Sequence, residues 1–246
     1  MGTDVNVGLI GFGTVGAGVA KALLEKGRRL ERRLGARVVL RQVCDRDFRR
    51  SRGFRLPSNL MTTDPWQIVR HPDIHVVVEL IGGMEPARSL ILEALRRGKH
   101  VVTANKALLA QAGRELFAAA ERAGTDLYFE ASVGGGIPII KALREGLIAN
   151  DIDAILGIVN GTSNYILTQM REQRLSFHEA LLEAKHHGYA ERNPSLDIEG
   201  CDAAHKLAIL TALGFGVQVR QDQIHVEGIS KISQADIQYA DELGYC

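Results

Sequence analysis

The chain is predicted to be an α/β protein, with a doubly wound parallel sheet over residues 1–133 followed by an α+β part over residues 134–246. Three observations carry that expectation. Short apolar runs alternate with helix-patterned stretches through the first half, which is how parallel strands joined by crossover helices read. A glycine-rich hexapeptide, Gly11-Phe12-Gly13-Thr14-Val15-Gly16, separates the first apolar run from the first helix. The rhythm then stops at Val133-Gly134-Gly135-Gly136-Ile137-Pro138, where three successive glycines free the backbone for something a side chain would obstruct.

Taken in order, Val5 to Ile10 reads as a buried strand and residues 14–34 as one long helix, with Val15, Val19, Ala22, Leu23 and Leu30 as its apolar stripe. Residues 36–44 are β-branched and strand-like. Trp66 to Arg70 forms a short helix closed by His71-Pro72, and residues 74–80 a second buried strand. Pro86 opens the next helix at a first-turn position, and Gly98 stops it after Arg97. His100 to Thr103 is a strand, Lys106 to Ala123 a helix ended by Gly124, and residues 127–130 a strand. Beyond the glycine break the pattern gives a helix over 139–147, a strand over 152–159 and a cap or turn at Asn160-Gly161-Thr162-Ser163. Helices near 165–171, 177–186 and 203–213 follow, then a strand over 224–229 and an amphipathic tail.

Composition narrows the function classes. With 30 Lys plus Arg against 29 Asp plus Glu among 246 residues, no global field draws the protein to nucleic acid or a membrane surface. Eleven arginines against three acids lie between Arg28 and Arg55; such a run is either a phosphate-recognising patch or a solvated helix face with its loop. Three scattered cysteines, Cys44, Cys201 and Cys246, make neither a disulfide framework nor a zinc site. No targeting segment and no apolar stretch of about 18 residues is present. A soluble, cytoplasmic protein is expected.

Gly11 to Gly16 is G-x-G-x-x-G after a strand and before a helix, the Rossmann-type context that gives this weak motif its meaning. Gly11 permits the tight turn, Gly13 lets a pyrophosphate approach, and Gly16 lets helix and strand pack, with the helix N-terminus facing the phosphates. Asp45 ends the second strand, where a carboxylate clasps the adenosine ribose of NAD. Arg46, with Arg49 and Arg50 behind it, suits the 2′-phosphate of NADP instead. The coenzyme stays open as NAD(P).

The run GYAERNPSLDIEGCDAAHKLAIL, residues 188–210, gathers Glu191, Asp197 and Asp202 near Lys206, where an apolar helix begins. Asp202 and Lys206 stand four apart and share a helix face. By itself this is an i,i+4 ion pair worth about 0.3–0.5 kcal/mol. Alongside a dinucleotide loop it becomes a candidate reacting centre.

Seven segments in order resemble homoserine dehydrogenases: GFGTVG (11–16), ELIGG (79–83), TANKALLA (103–110), EASVGGGIPII (130–140), GIVNGTSNYIL (157–167), the 188–210 run and VEGISKI (226–232). The resemblance implies reversible conversion of L-homoserine and L-aspartate 4-semialdehyde with NAD(P), in threonine, methionine and isoleucine synthesis. It makes Lys206 the proton donor and acceptor at the carbinol oxygen, with Asp202 beside it and Lys106 a second lysine at the reacting centre. Glu191 and Asp197 would bind substrate, with Thr162 and Tyr189 as weaker candidates. Thr103, Lys106 and Gly188 look like coenzyme contacts beside the residues of the 11–16 loop. Glu130 and the carbonyls of Val133, Gly135 and Ile137 resemble a sodium site; the stretch alone reads equally as a hinge. A homodimer is implied, and the family continues well past VEGISKI.

Hydride transfer must be matched by a proton movement, and a free lysine, at about 10.4, is too basic for it without burial or a second cation nearby. Lys106 and Lys206 would lower one another while Asp202 opposes them. Which lysine moves the proton therefore stays open. Two rivals are an aldehyde-oxidising relative, for which Cys201 would be the nucleophile, and a non-catalytic dinucleotide-binding remnant.

Overall fold

A computed structural model describes residues 4–50 and 52–245; Cys246, one of the three cysteines above, lies outside them. The chain divides into two compact units, 1–146 and 147–246.

The first unit is built on a six-stranded sheet in the order β3-β2-β1-β4-β5-β6, and every adjacent pair runs parallel. The strands are β1 (Val5–Ile10), β2 (Val38–Cys44), β3 (Met61–Thr62), β4 (Val76–Glu79), β5 (His100–Thr103) and β6 (Leu127–Tyr128). The connecting helices are α1 (Thr14–Glu25), α2 (Gly27–Leu34), α3 (Pro65–Arg70), α4 (Ala87–Arg96) and α5 (Lys106–Ala123). Strand order reverses around β1, which lies between β2 and β4. That switch point opens a crevice at the carboxyl ends of β1 and β4, where sheets of this kind bind ligands.

The sheet is held by near-continuous apolar strands. Val7, Leu9, Leu40, Val43 and Val78 form one buried cluster with Ala17, Ala20 and Leu56. Leu9, Ile68, Leu90, Leu95, Leu108 and Leu116 are fully buried, each contributing about 1.5–3 kcal/mol relative to exposure. Cys44 is also buried, and burial, then the Asp45 charge, pushes its thiol up to about 11. It stays a neutral core residue.

Two local expectations are corrected here. The helix expected over 14–34 breaks at Lys26, which ends α1 before α2 starts at Gly27; a helix-interior glycine costs about 1 kcal/mol relative to alanine. The fully buried face of α1 is Gly16, Ala17 and Ala20; of the expected stripe Leu23 packs against the core, whereas Val15 is exposed. Small residues win because the helix passes so close to the strand-turn backbone. A Cβ at Gly16 would stand 1.9 Å from the Gly11 carbonyl oxygen. The arginine-bearing α2 has no buried residue.

Residues 139–147 give only α6 (Ile139–Lys141) and a wider turn of helix over Ala142–Gly146. The second unit carries α7 (Gly161–Gln173), α8 (Phe177–His186), α9 (Ser195–Ile198), α10 (Cys201–Phe215) and α11 (Gln234–Glu242). Ile166, Met170, Ala180, Ala184 and Ala190 form its core, with Ile198, Ile229 and Ile237 packed against them.

The strands expected over 152–159 and 224–229 are not formed: no described residue of this unit pairs in a ladder. The first segment has β-type sequence but no backbone partner, and Leu156 is 94% exposed. The second runs instead against the α9–α10 link, where the Ile229 N–H donates to the Ile198 carbonyl at 2.8 Å. The approach is close enough that a Cβ at Gly228 would meet the Ile198 oxygen at 2.8 Å. VEGISKI therefore buttresses the link that carries Asp197 and Asp202. Among the described residues no helix is long and apolar enough to cross a membrane.

Candidate active site

At the carboxyl end of the sheet in the first unit, β1 runs into the glycine turn. Gly11 has φ +103°, and a Cβ there would lie 2.6 Å from the Leu80 carbonyl oxygen, so turn and loop after β4 exclude any side chain. Space is open at Gly13. This glycine precedes Thr14 at the start of α1, whose first turn has neither a side-chain cap nor an acidic residue. The amides of Thr14, Val15 and Gly16 thus keep their electropositive character, which fits a phosphate group.

Asp45 sits beside this turn with both oxygens in use. Oδ2 accepts the Phe12 amide at 2.7 Å and Oδ1 the Asp47 amide at 2.9 Å. Arg52 lies 3.6 Å from Oδ1 and stacks over the Phe12 ring at 5.2 Å. Asp45 therefore braces the loop, and Arg52, one arginine in a dense run, gave no sequence signal for its part. Arg46 is exposed. Arg49, Arg50, Arg55 and Ser58 line a cavity of about 870 Å³ together with Phe12 and Phe48.

Glu79, at the end of β4, was not singled out by sequence. Fully buried, it accepts the amides of Ile81 at 2.8 Å and Gly82 at 3.1 Å and the Thr103 hydroxyl at 2.6 Å. The Thr103 hydroxyl in turn accepts the Asn105 amide, and the Asn105 side chain donates to the Gly83 carbonyl at 2.7 Å. These bonds lace the ELIGG and TANK loops together, with Lys106 as the first residue of α5. Glu130 accepts the amides of Ile140 and Lys141, each at 2.9 Å. The loop between bends through Gly134 and Gly136, φ +60° and +88°. Among the described residues no cluster of three or more His, Cys, Asp or Glu side chains could hold a metal.

In the second unit the structure brings Asp197, Asp202 and Lys206 into one network. The Lys206 ammonium donates to Asp202 Oδ2 at 2.5 Å and to the Val159 carbonyl at 2.5 Å. Asp202 is buried and Lys206 largely so, with side-chain exposures of 2% and 15%. An ammonium has three N–H groups; the third has no acceptor among the described residues. Asn160 Nδ2 donates to Asp197 Oδ1 and to Asp202 Oδ2, both at 2.8 Å. Sequence reads Asn160 only as part of a cap or turn.

Thr162 and Tyr189 are joined, the Thr162 hydroxyl donating to the Tyr189 carbonyl at 2.8 Å. The Tyr189 ring stacks on Tyr165 at 4.5 Å. Gly188, with φ +77°, makes the turn out of α8, and Glu191 is exposed in the link to α9. A doubly held ammonium beside carboxylates can exchange a proton with an oxygen placed against it.

A family model described as the NAD binding domain of homoserine dehydrogenase matches residues 11–130, and one described as homoserine dehydrogenase matches 138–246. Homoserine dehydrogenase of Neisseria gonorrhoeae is 49% identical over 98% of the chain, which covers 55% of that relative. The chain spans about half the length of the curated relatives it matches. A crystal structure of a homoserine dehydrogenase from Thiobacillus denitrificans superposes with a TM-score of 0.93 at 48% identity, over 99% of this chain and 56% of that one. A hyperthermophilic archaeal homoserine dehydrogenase in complex with NADPH superposes at 0.80 with 30% identity, over 93% of this chain and 75% of that one. By both family models and by these relatives, the chain belongs to the homoserine dehydrogenase family.

Proposed function

We propose that the chain interconverts L-homoserine and L-aspartate 4-semialdehyde with NAD(P). The observation that carries this reading is the buried Lys206–Asp202 pair, held at 2.5 Å in a unit that also presents Asp197 and Glu191. Oxidation removes a hydride from the carbinol carbon and a proton from its hydroxyl; the coenzyme, when bound, accepts the hydride. The Lys206 amine, neutral at its third position, takes the hydroxyl proton, and in the reductive direction the third N–H so formed returns one to the aldehyde oxygen. Asp202 and the Val159 carbonyl fix the amine so that little reorganisation accompanies the proton transfer.

Asp197 and Glu191 bind the substrate's ammonium and hydroxyl groups, with Thr162 and Tyr189 lining the same link. Lys106 acts as the second lysine of the reacting centre. The amides of Gly13 to Gly16 would hold the coenzyme phosphates, with Thr103, Lys106 and Gly188 as further contacts. In this reading 1–133 serves the dinucleotide and 134–246 the substrate. Glu130 and the carbonyls of Val133, Gly135 and Ile137 suit a hard monovalent cation: a carboxylate oxygen that accepts one amide keeps a lone pair for sodium. The ion would lock the glycine loop. Family membership supports a homodimer at work in the cytoplasm, in threonine and methionine synthesis.

NADP(H) is the preferred coenzyme in this proposal. Asp45 is committed to the Phe12 and Asp47 amides, whereas Arg46, Arg49 and Arg50 are exposed, and Arg49 and Arg50, held only by surface pairs with Asp47, can turn to a 2′-phosphate. Initial rates with L-homoserine and each oxidised coenzyme test activity and preference together. We expect kcat/KM for NADP⁺ to exceed that for NAD⁺ by about tenfold or more, a difference of about 1.4 kcal/mol. A preference for NAD⁺ overturns the coenzyme choice alone, and no rate with either overturns the activity.

A further inference from the structure

We infer that Asn160 is a positioning residue of this reaction, whose side-chain amide sets Asp197 and Asp202 in place. The inference rests on the reading of residues 188–210 as the substrate site. Asn160 is 8% exposed and immediately precedes α7. Its oxygen accepts the Ser163 amide at 2.8 Å, the capping bond. Its two N–H groups go elsewhere, one to Asp197 Oδ1 and one to Asp202 Oδ2, both at 2.8 Å. All three bonds fix the amide's sense: a flip would aim the oxygen at two carboxylates and the nitrogen at an N–H.

Capping accounts for one of these bonds and not for the other two. Two carboxylates drawn to one side chain, Asp202 buried and Asp197 half-buried, repel, and a donor between them offsets that cost. Lys206 relieves Asp202 alone. Asn160 reaches both, so it ties the acid that binds the lysine to the acid proposed to bind the substrate. Ser163 adds to the tie, its hydroxyl donating to the Asp197 carbonyl at 3.0 Å. The same asparagine therefore couples the start of α7 to α9 and α10, and it acts through the carboxylates without touching reacting atoms.

Serine and aspartate both cap helices about as well as asparagine, which separates the two jobs. Asn160→Ser keeps the cap but cannot span both carboxylates. Asn160→Asp keeps cap and shape but sets a third carboxylate where the donors were. The full chain carrying each change is compared with the wild type by melting temperature, NADP⁺ binding by calorimetry, and kcat and KM for L-homoserine. Asn160→Ser should melt near the wild type and bind NADP⁺ equally well, while kcat/KM for L-homoserine falls about 100-fold, the cost of a misplacement near 1 Å. Asn160→Asp should fall further, with KM for NADP⁺ unchanged.

Wild-type kinetics in both variants would leave Asn160 a cap and overturn its positioning role. Loss of NADP⁺ binding in parallel with turnover would overturn it as well, by exposing general misfolding. A wild-type chain that binds NADP⁺ but neither binds nor oxidises L-homoserine overturns the functional reading itself, and this inference with it.

Discussion

Lys206→Ala should lower turnover of L-homoserine by about 10²–10⁴-fold, the range for loss of a general acid–base group. Coenzyme affinity should hardly change. The substitution removes the amine that Asp202 Oδ2 and the Val159 carbonyl hold at 2.5 Å each. The dinucleotide turn, by contrast, is built by Gly11, Gly16 and Asp45 in the first unit. Steady-state kinetics beside calorimetric titration of NADP⁺ separate the two effects. If kcat and coenzyme affinity fall in proportion, the lysine is a structural or binding group and not the proton carrier. Lys206→Arg should not rescue, because a guanidinium is not deprotonated in proteins.

The second large effect falls on stability. Asp202→Ala strips the partner from an ammonium that is 15% exposed and also removes an acceptor of Asn160. Breaking a buried pair by deleting one member costs about 3–5 kcal/mol, against about 0.3–0.5 kcal/mol for a solvent-exposed i,i+4 pair. The burial of Asp202, only 2% exposed on its side chain, places it in the first class. Chemical denaturation of the wild type and Asp202→Ala decides between them. A loss under about 1 kcal/mol would mean the pair behaves as a surface pair, and the rigid amine required by the proposed chemistry would lack its support.

Sequence foresees elements best where their ends carry chemistry. The α5 bounds follow from Asn105, whose side chain accepts the Leu108 amide, and from Gly124 in the left-handed region. The α8 bounds follow from Ser176 and Glu179, which form a capping box. Residues 152–159 mislead because apolar β-type sequence reports a preference for pairing and says nothing of a partner. The α1 face misleads because hydrophobicity ranks Val15 above Gly16, while the backbone clearance at Gly11 selects glycine.

The candidate site divides the same way. Asp202 and Lys206 are legible because helical spacing alone brings them together. Asn160 is legible only as a cap, since its bonds to Asp197 and Asp202 span 37 and 42 residues. Arg52 and Glu79 are hidden for a related reason: the Phe12 ring under Arg52 and the Thr103 hydroxyl beside Glu79 come near only in the folded sheet.

Under the proposed function, the hydride that leaves the carbinol carbon of L-homoserine goes to the coenzyme. L-homoserine carrying two deuteriums on that carbon tests it most directly, with the reduced coenzyme recovered and analysed by mass spectrometry. The account predicts reduced coenzyme heavier by one deuterium and an aldehyde that keeps the other. Unlabelled reduced coenzyme, or none, would contradict it.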